Sequence, residues 1–248
     1  MTRPKLAILV SFSGQGGVER MIANLCEVLV DAPIDLDILL IKARAPHARR
    51  LPRNARVIPL RAQHSLTSIW EVARYLRRER PTALLAIKHR AILAALRAKQ
   101  LARSQTPISG RLGTTVSAAL ANKSPRRRER WYRAMRRYYP RLHRLIAVSQ
   151  GVADDVLDIT DMPDAQITVV RNPPITPELL KAAEAPVNHP WLQSDSDTPV
   201  IMGVGRLTEQ KDFSTLLSAF AHVQRQRAAR LMILGDGNLR EALLAQAR

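Results

Sequence analysis

Arg206 and Lys211 are the residues whose types and spacing point most directly to chemistry. They stand five residues apart in TPVIMGVGRLTEQK, residues 198–211. An arginine fork grips two phosphate oxygens at once, and a lysine adds a mobile point charge. The pair suits a diphosphate, and Gly203 and Gly205 just before it let the backbone turn close to one. Spacing alone also allows two solvated loop charges.

A second candidate is the glycine loop SGQGG, residues 13–17, between an apolar run and a helical pattern. Strand, glycine loop and helix commonly begin a phosphate- or dinucleotide-binding half, although the full GxGxxG fingerprint is absent. The loop reads either as a helix start offering N–H groups to an anion or sugar, or as a tight βα turn. His89 sits just past another apolar run, at a strand end where ligands bind in α/β folds. A lone histidine there is more often a capping or surface residue than a proton-transfer group. No His/Asp/Cys cluster has metal-ligand spacing, so no metal and no cofactor is expected.

The third feature is SPRRRERWYRAMRRYYPRLHR, residues 124–144. Ser124 and Pro125 make a helix start. Aromatics then recur at about helical spacing among arginines. Three readings are open: an anionic membrane surface touched by Arg127, Arg130, Trp131 and Arg137, a solvated face whose aromatics pack inward, or nucleic acid.

The elements that must position these residues alternate along the chain. Apolar runs predict strands over 5–12, 35–42, 56–60, 82–87, 107–112, 145–148, 167–170, 200–204 and 230–234, with 200–204 buried. Helical periodicity predicts helices over 18–30, 66–80, 91–102, 150–157, 213–225 and 238–248, besides the one that starts at Ser124. Ser149 and Asn238 are expected to cap two of them. In the helix over 66–80, Leu66, Ile69, Trp70, Ala73 and Leu76 share the apolar face. Such alternation means an α/β chain with parallel sheets.

The chain has 248 residues, 46% hydrophobic, with a net charge of +18. That charge attracts polyanions or phosphorylated substrates. The single cysteine, Cys26, excludes an intramolecular disulfide, fits a reducing compartment and lies in an apolar helical pattern. No apolar run is long enough to cross a bilayer. The N-terminal apolar stretch is short, lacks a cleavage site and reads as a first strand. A cytoplasmic location follows as an expectation, with peripheral attachment to the inner face of the plasma membrane beside it.

GVGRLTEQKDFSTLLSAF and LMILGDGNLREAL closely resemble the second domain of the family 4 glycosyltransferases, which have the two-domain GT-B fold. GGVER, residues 16–20, and AVSQGVADDV, residues 147–156, resemble the family's first domain. The resemblance implies a Rossmann-like, acceptor-side domain over 1–174, a linker over 175–198, and over 199–248 the first βαβα part of a second Rossmann-like, nucleotide-sugar-binding domain. It puts donor diphosphate binding on Arg206 and Lys211, beside Gly205, with Gly16 and Gly17 approaching the phosphates; Glu19 and Arg20 shape the helix start. It matches Arg111 to a βα-loop position near the sugar, with His89 as the alternative. Asn172 and Gly235 become possible cleft residues.

The activity so implied is metal-independent retaining transfer of a sugar from a nucleotide-diphosphate sugar to a glycan or lipid-linked acceptor, in cell-envelope polysaccharide or glycolipid synthesis. A second GT-B domain has roughly 150 residues; the family's later acidic pair, seven residues apart, does not follow Lys211 here. The chain therefore reads as truncated, and the lack of part of the donor pocket argues against activity as it stands. An isolated βαβα unit leaves a sheet edge and an apolar face open, to be covered by the first domain or by another chain. The alternative is a non-catalytic GT-B half that binds an acceptor or a partner. A sugar-nucleotide epimerase shares the fold but fits the glycine and Arg/Lys wording less well.

Overall fold

The computed structural model describes residues 3–11, 17–41, 51–52, 54–173, 175–192 and 197–248. The chain divides into two compact units, Met1–Thr176 and Pro177–Arg248.

The first unit is built on a seven-stranded, all-parallel sheet. Its strands are β1 (Lys5–Ser11), β2 (Asp35–Ile41), β3 (Arg56–Pro59), β4 (Ala83–Ile87), β5 (Ile108–Leu112), β6 (Arg144–Ala147) and β7 (Ile167–Val169). Their spatial order is β3-β2-β1-β4-β5-β6-β7. The order reverses between β1 and β4, where Leu6 pairs with Ala83 and Leu9 with Ala86. Chains leaving β1 and β4 diverge to opposite sides there, which opens a crevice at the carboxyl ends. Helices cover both faces: α1 (Gly17–Val30), α2 (Ile69–Glu79), α3 (His89–Ala102), α4 (Val116–Ala119), α5 (Pro125–Tyr138) and α6 (Gln150–Ile159).

The inner strands read as near-continuous apolar runs because both of their faces are covered. Ile8 and Ile38 join a core with Met21, Ile22 and Cys26 of α1, whereas Leu9 and Leu84 join one with α2, α3 and α6. Ala91, Ala94, Ala95 and Ala98 of α3 are fully buried. Their small side chains bring α3 close to the sheet, and a Cβ on Gly110 of β5 would stand 2.8 Å from Ile92 Cδ1. At the opposite end of the sheet, Asp37 is buried and holds Arg56 through two bonds of 2.8 and 2.7 Å, and accepts the Tyr75 hydroxyl at 2.6 Å. A buried carboxylate is stable only when its oxygens are paired this way.

The second unit contains α7 (Pro177–Ala183), β8 (Val200–Val204), α8 (Phe213–Gln224), β9 (Arg230–Leu234) and α9 (Arg240–Gln246). β8 and β9 are parallel, Val200 beside Arg230 and Val204 beside Leu234. Leu207, Phe213 and Leu243 form the small core. Asp212, at φ 48°, caps α8 by accepting from Thr215 N–H.

Several sequence expectations need correction. The 200–204 strand is not buried: it pairs on one side, and Met202 and Val204 are 47% and 68% exposed. Helix α2 starts at Ile69, and its packed face is Val72, Ala73, Tyr75 and Leu76; Trp70 points out, 70% exposed. α4, and α7 within the stretch read as linker, were not expected. α5 ends at Tyr138 and passes into a 3-10 turn over Tyr139–Arg141. α9 begins at Arg240, so Leu239 rather than Asn238 is its N-cap. Ser149 takes the N-cap position of α6 without a side-chain bond. Gly16 lies outside the described residues.

Candidate functional site

The first unit has a pocket of about 390 Å³ at the carboxyl ends of β1, β4 and β5, beside the point where strand order reverses. Ser11, Lys88, His89, Arg90, Arg111 and Trp131 stand on its wall.

Lys88 links β4 to α3 in a conformation that side chains rarely adopt, φ 76° and ψ 148°. Its N–H donates to Arg111 C=O at 3.0 Å. Its ammonium donates to Glu19 Oε1 at 2.8 Å and to Ser11 C=O at 3.3 Å. Glu19 is buried, so it does more than shape the start of α1: its carboxylate ties α1 to the turn after β4.

His89 opens α3, two residues earlier than the periodicity suggests, and is only 7% exposed. Its ring stacks on Trp131, centroids 4.2 Å apart and planes 15° apart. Its Nδ1 pairs with the hydroxyl of the fully buried Tyr139 at 2.9 Å. Burial, helped by Arg90 and Arg97, pushes its pKa down to about 4, so the ring is neutral at physiological pH. Trp131 therefore does not belong with the membrane-surface candidates. It is half-buried because the neutral imidazole offers it a flat apolar partner, while Arg90 lies over its ring at 5.8 Å. Arg127, Arg130 and Arg137 do lie on the exposed side of α5.

Arg111, at the end of β5, is 5% exposed. Its Nη2 donates to Asn172 Oδ1, which joins two candidates 61 residues apart. Its Nη1 is buried with no hydrogen-bond partner among the described residues. Burial pulls the guanidinium's pKa down from its ordinary value. Nearby, Asp155 accepts from Val116 N–H at 2.6 Å and so fixes α4 against the pocket.

In the second unit, Gly205, Arg206, Lys211 and Gly235 come together where β8 and β9 end. Gly205 N–H donates to Leu234 C=O at 3.0 Å, and Leu207 N–H to Asp236 C=O at 2.9 Å. This close pairing of two turns explains Gly235: a Cβ there would stand 1.8 Å from Gly205 O. The Lys211 stem folds over Gly205, its Cε 3.3 Å from where a Cβ would be. Arg206 and Lys211 are exposed and have no acidic partner within ion-pair distance among the described residues. Thr208 Oγ1, beside them, is buried without a partner among the described residues.

The structure thus groups the candidates into two sets, one per unit. Gly17 is the first residue of α1, and a Cβ there would have nothing within 4 Å of it among the described residues. Sequence reasoning missed Lys88, Tyr139 and Thr208. Lys88 carries no local signal beyond its place after a strand, and Tyr139 looked like one more aromatic of a basic helix. Among the described residues no group of three or more His, Cys, Asp or Glu side chains is placed to hold a metal.

The Glycosyltransferase Family 4 model matches residues 15–174. The chain belongs to Glycosyltransferase Family 4. A curated relative, the lipopolysaccharide core biosynthesis glycosyltransferase LpsE of Rhizobium meliloti (strain 1021), is 24% identical over 245 residues, covering 94% of this chain and 60% of its own. Among solved structures, Anabaena Alr3699/HepE in complex with UDP matches with a TM-score of 0.70 at 18% identity, over 98% of this chain and 65% of its own. The lipopolysaccharide outer core galactosyltransferase WaaB in its apo form matches with a TM-score of 0.66 at 19% identity, over 98% and 64%. This family 4 chain therefore spans about 60% of the curated relative and about two thirds of the solved ones. Its fold is that of a GT-B protein: one Rossmann-like unit and the first βαβα part of a second.

Proposed function

We propose that this chain carries the acceptor-side unit and the diphosphate-binding turn of a retaining glycosyltransferase. The donor is a nucleotide-diphosphate sugar, and the acceptor is a glycan or lipid-linked glycan of the cell envelope. The observation that carries the reading is the turn after β8, where Arg206 and Lys211 stand exposed and unpaired among the described residues beside the tightly apposed Gly205 and Gly235. Cations held ready where charge develops lower the barrier to a leaving group that departs as a dianion or trianion. The sugar C1–O bond to the diphosphate breaks, and a C1–O bond to the acceptor forms on the same face. The acceptor hydroxyl proton passes to the departing phosphate oxygen. His89, whose pKa is pushed down to about 4, is too weak a base for that step and serves to shape the pocket with Trp131. The two cations take the place of a divalent metal, so EDTA leaves the reaction unchanged. The relatives bear on the choice of donor and acceptor: one solved relative holds UDP-glucose, and the curated one is named for lipopolysaccharide core biosynthesis.

Titration of the chain with UDP and GDP, beside an Arg206→Ala, Lys211→Ala double variant, tests the reading. Saturable binding to the native chain that disappears in the double variant supports it. Equal binding by both would move the diphosphate elsewhere.

The exposed arginines of α5, Arg127, Arg130 and Arg137 among them, support peripheral attachment to an anionic membrane from the cytoplasmic side. Replacing these three with Gln should reduce sedimentation with phosphatidylglycerol vesicles; unchanged sedimentation rules the attachment out.

A further inference from the structure

We infer that the pocket of the first unit takes an acceptor carrying an anionic group, a carboxylate or a phosphate, held by Arg111. The inference rests on the reading that this pocket is the acceptor site and names the class of acceptor.

Arg111 carries it. The residue is 5% exposed, and its Nη1 has no hydrogen-bond partner among the described residues. Its Nη2 is satisfied by the neutral amide oxygen of Asn172, and no carboxylate lies within ion-pair distance of it among the described residues. A buried lysine or histidine escapes such a place by losing its proton, but a guanidinium keeps its charge and its donors. Elsewhere the same unit shows how it treats an arginine beside a buried group: Arg56 meets Asp37 through two parallel bonds. At Arg111 the described residues supply no such anion, and the residue lines the wall of the pocket, with Nη1 just beneath its surface.

The rest of the wall agrees. Lys88, Arg90 and Arg111 line the pocket, and no Asp or Glu among the described residues does. Glu19 offsets the charge of Lys88, which leaves Arg90 and Arg111 for a ligand. Trp131, Val116 and Ala119 give the pocket an apolar side for the C–H face of a sugar ring. Its volume, about 390 Å³, lies within the range of roughly 300–1,000 Å³ usual for small-ligand sites.

The test is calorimetric titration of the full chain with glucuronate, glucose 6-phosphate and glucose. At least one anionic sugar should bind ten times or more tightly than glucose, and the tighter of the two tells carboxylate from phosphate. Arg111→Gln should bring that sugar down to the glucose level, and the Arg206→Ala, Lys211→Ala variant should leave it unchanged. Ala119→Trp, at an exposed position on the wall, should abolish binding by filling the pocket, and keeps the test valid if Arg111→Gln does not fold. Glucose binding as tightly as both anions, and blocked by Ala119→Trp, keeps the acceptor pocket and overturns its anionic specificity. Anion binding that is lost only in the Arg206, Lys211 variant overturns the inference as well. Failure of all three sugars to bind overturns the acceptor reading and this inference with it.

Discussion

Lys88 Nζ and Glu19 Oε1 meet at 2.8 Å, 69 residues apart in sequence, and so tie the turn after β4 to the first turn of α1. Glu19 is 4% exposed, whereas the Lys88 side chain is 36% exposed. The lysine also sits at φ 76°. A strained residue on a pocket wall persists because the contacts around it over-determine its place.

The asymmetry of this pair gives an ordered set of stabilities. Lys88→Met removes the cation facing a buried carboxylate and should cost roughly 2–3 kcal/mol. Lys88→Gly loses the same cation but relieves backbone strain worth about 1 kcal/mol or more, so it should cost less. Glu19→Gln leaves a lysine that water can reach, and should be the mildest. Urea midpoints of the three variants check the order; Lys88→Gly less stable than Lys88→Met would show that the turn is not strained.

His89 makes stability depend on acid. Its pKa is about 4 in the folded chain, against the ordinary 6.5 expected of the unfolded one. Between these values the unfolded chain takes up a proton that the folded chain refuses. The site's contribution is therefore full above about pH 6.5, falls as pH drops, and levels off below about pH 4 after a loss of roughly 3 kcal/mol. Thermal melts from pH 7 to 4.5 should show a shallower decline for His89→Gln than for the native chain. Parallel declines would mean that the ring is not shielded.

Two glycines should respond in opposite ways. A Cβ on Gly235 would stand 1.8 Å from Gly205 O, so Gly235→Ala forces the turns after β8 and β9 apart. It should lower the stability of the second unit by several kcal/mol, on the scale of severe backbone conflicts, and abolish UDP binding with it. At Gly17, the start of α1, a Cβ would meet nothing within 4 Å among the described residues. Gly17→Ala should raise stability by about 0.5 kcal/mol and keep its N–H available. Melting temperatures and UDP titrations of both variants decide the matter.

Cys26 is fully buried in α1, and burial, with Glu27 beside it, pushes its pKa up to about 12. The thiolate is the reactive form, so the native chain should not react with a disulfide reagent at pH 8. One equivalent should react at once in guanidinium. Rapid labelling of the native chain would show that α1 opens readily.

The alternation of strands and helices was legible in the sequence because its causes are local. A run of five to seven apolar residues can bury both faces of a strand, and 3.6-residue periodicity can bury one face of a helix. The turn around Arg206 and Lys211 was legible for the same reason: its residues are neighbours in the chain. Trp70 and Trp131 mark where that reasoning stops. Helical spacing puts Trp70 on the packed face, yet it is 70% exposed; it leaves Trp131 open to a membrane surface or to inward packing, and the ring stacks on His89 at 4.2 Å. Periodicity says that a helix has an apolar side but not which partner will cover each position on it.

The sequence by itself determined the strands, most of the helices, the parallel α/β class and the cation pair after β8. Only the tertiary structure decided that Glu19 answers Lys88, that Asp37 answers Arg56, and that Arg111 reaches Asn172 with one nitrogen while the other is buried without a partner among the described residues. Each of these depends on which strand ends the topology brings side by side. Residues tens of positions apart acquire their charge environment only when the sheet order sets them within hydrogen-bond reach, and a low-dielectric interior then makes each pairing, or its lack, count.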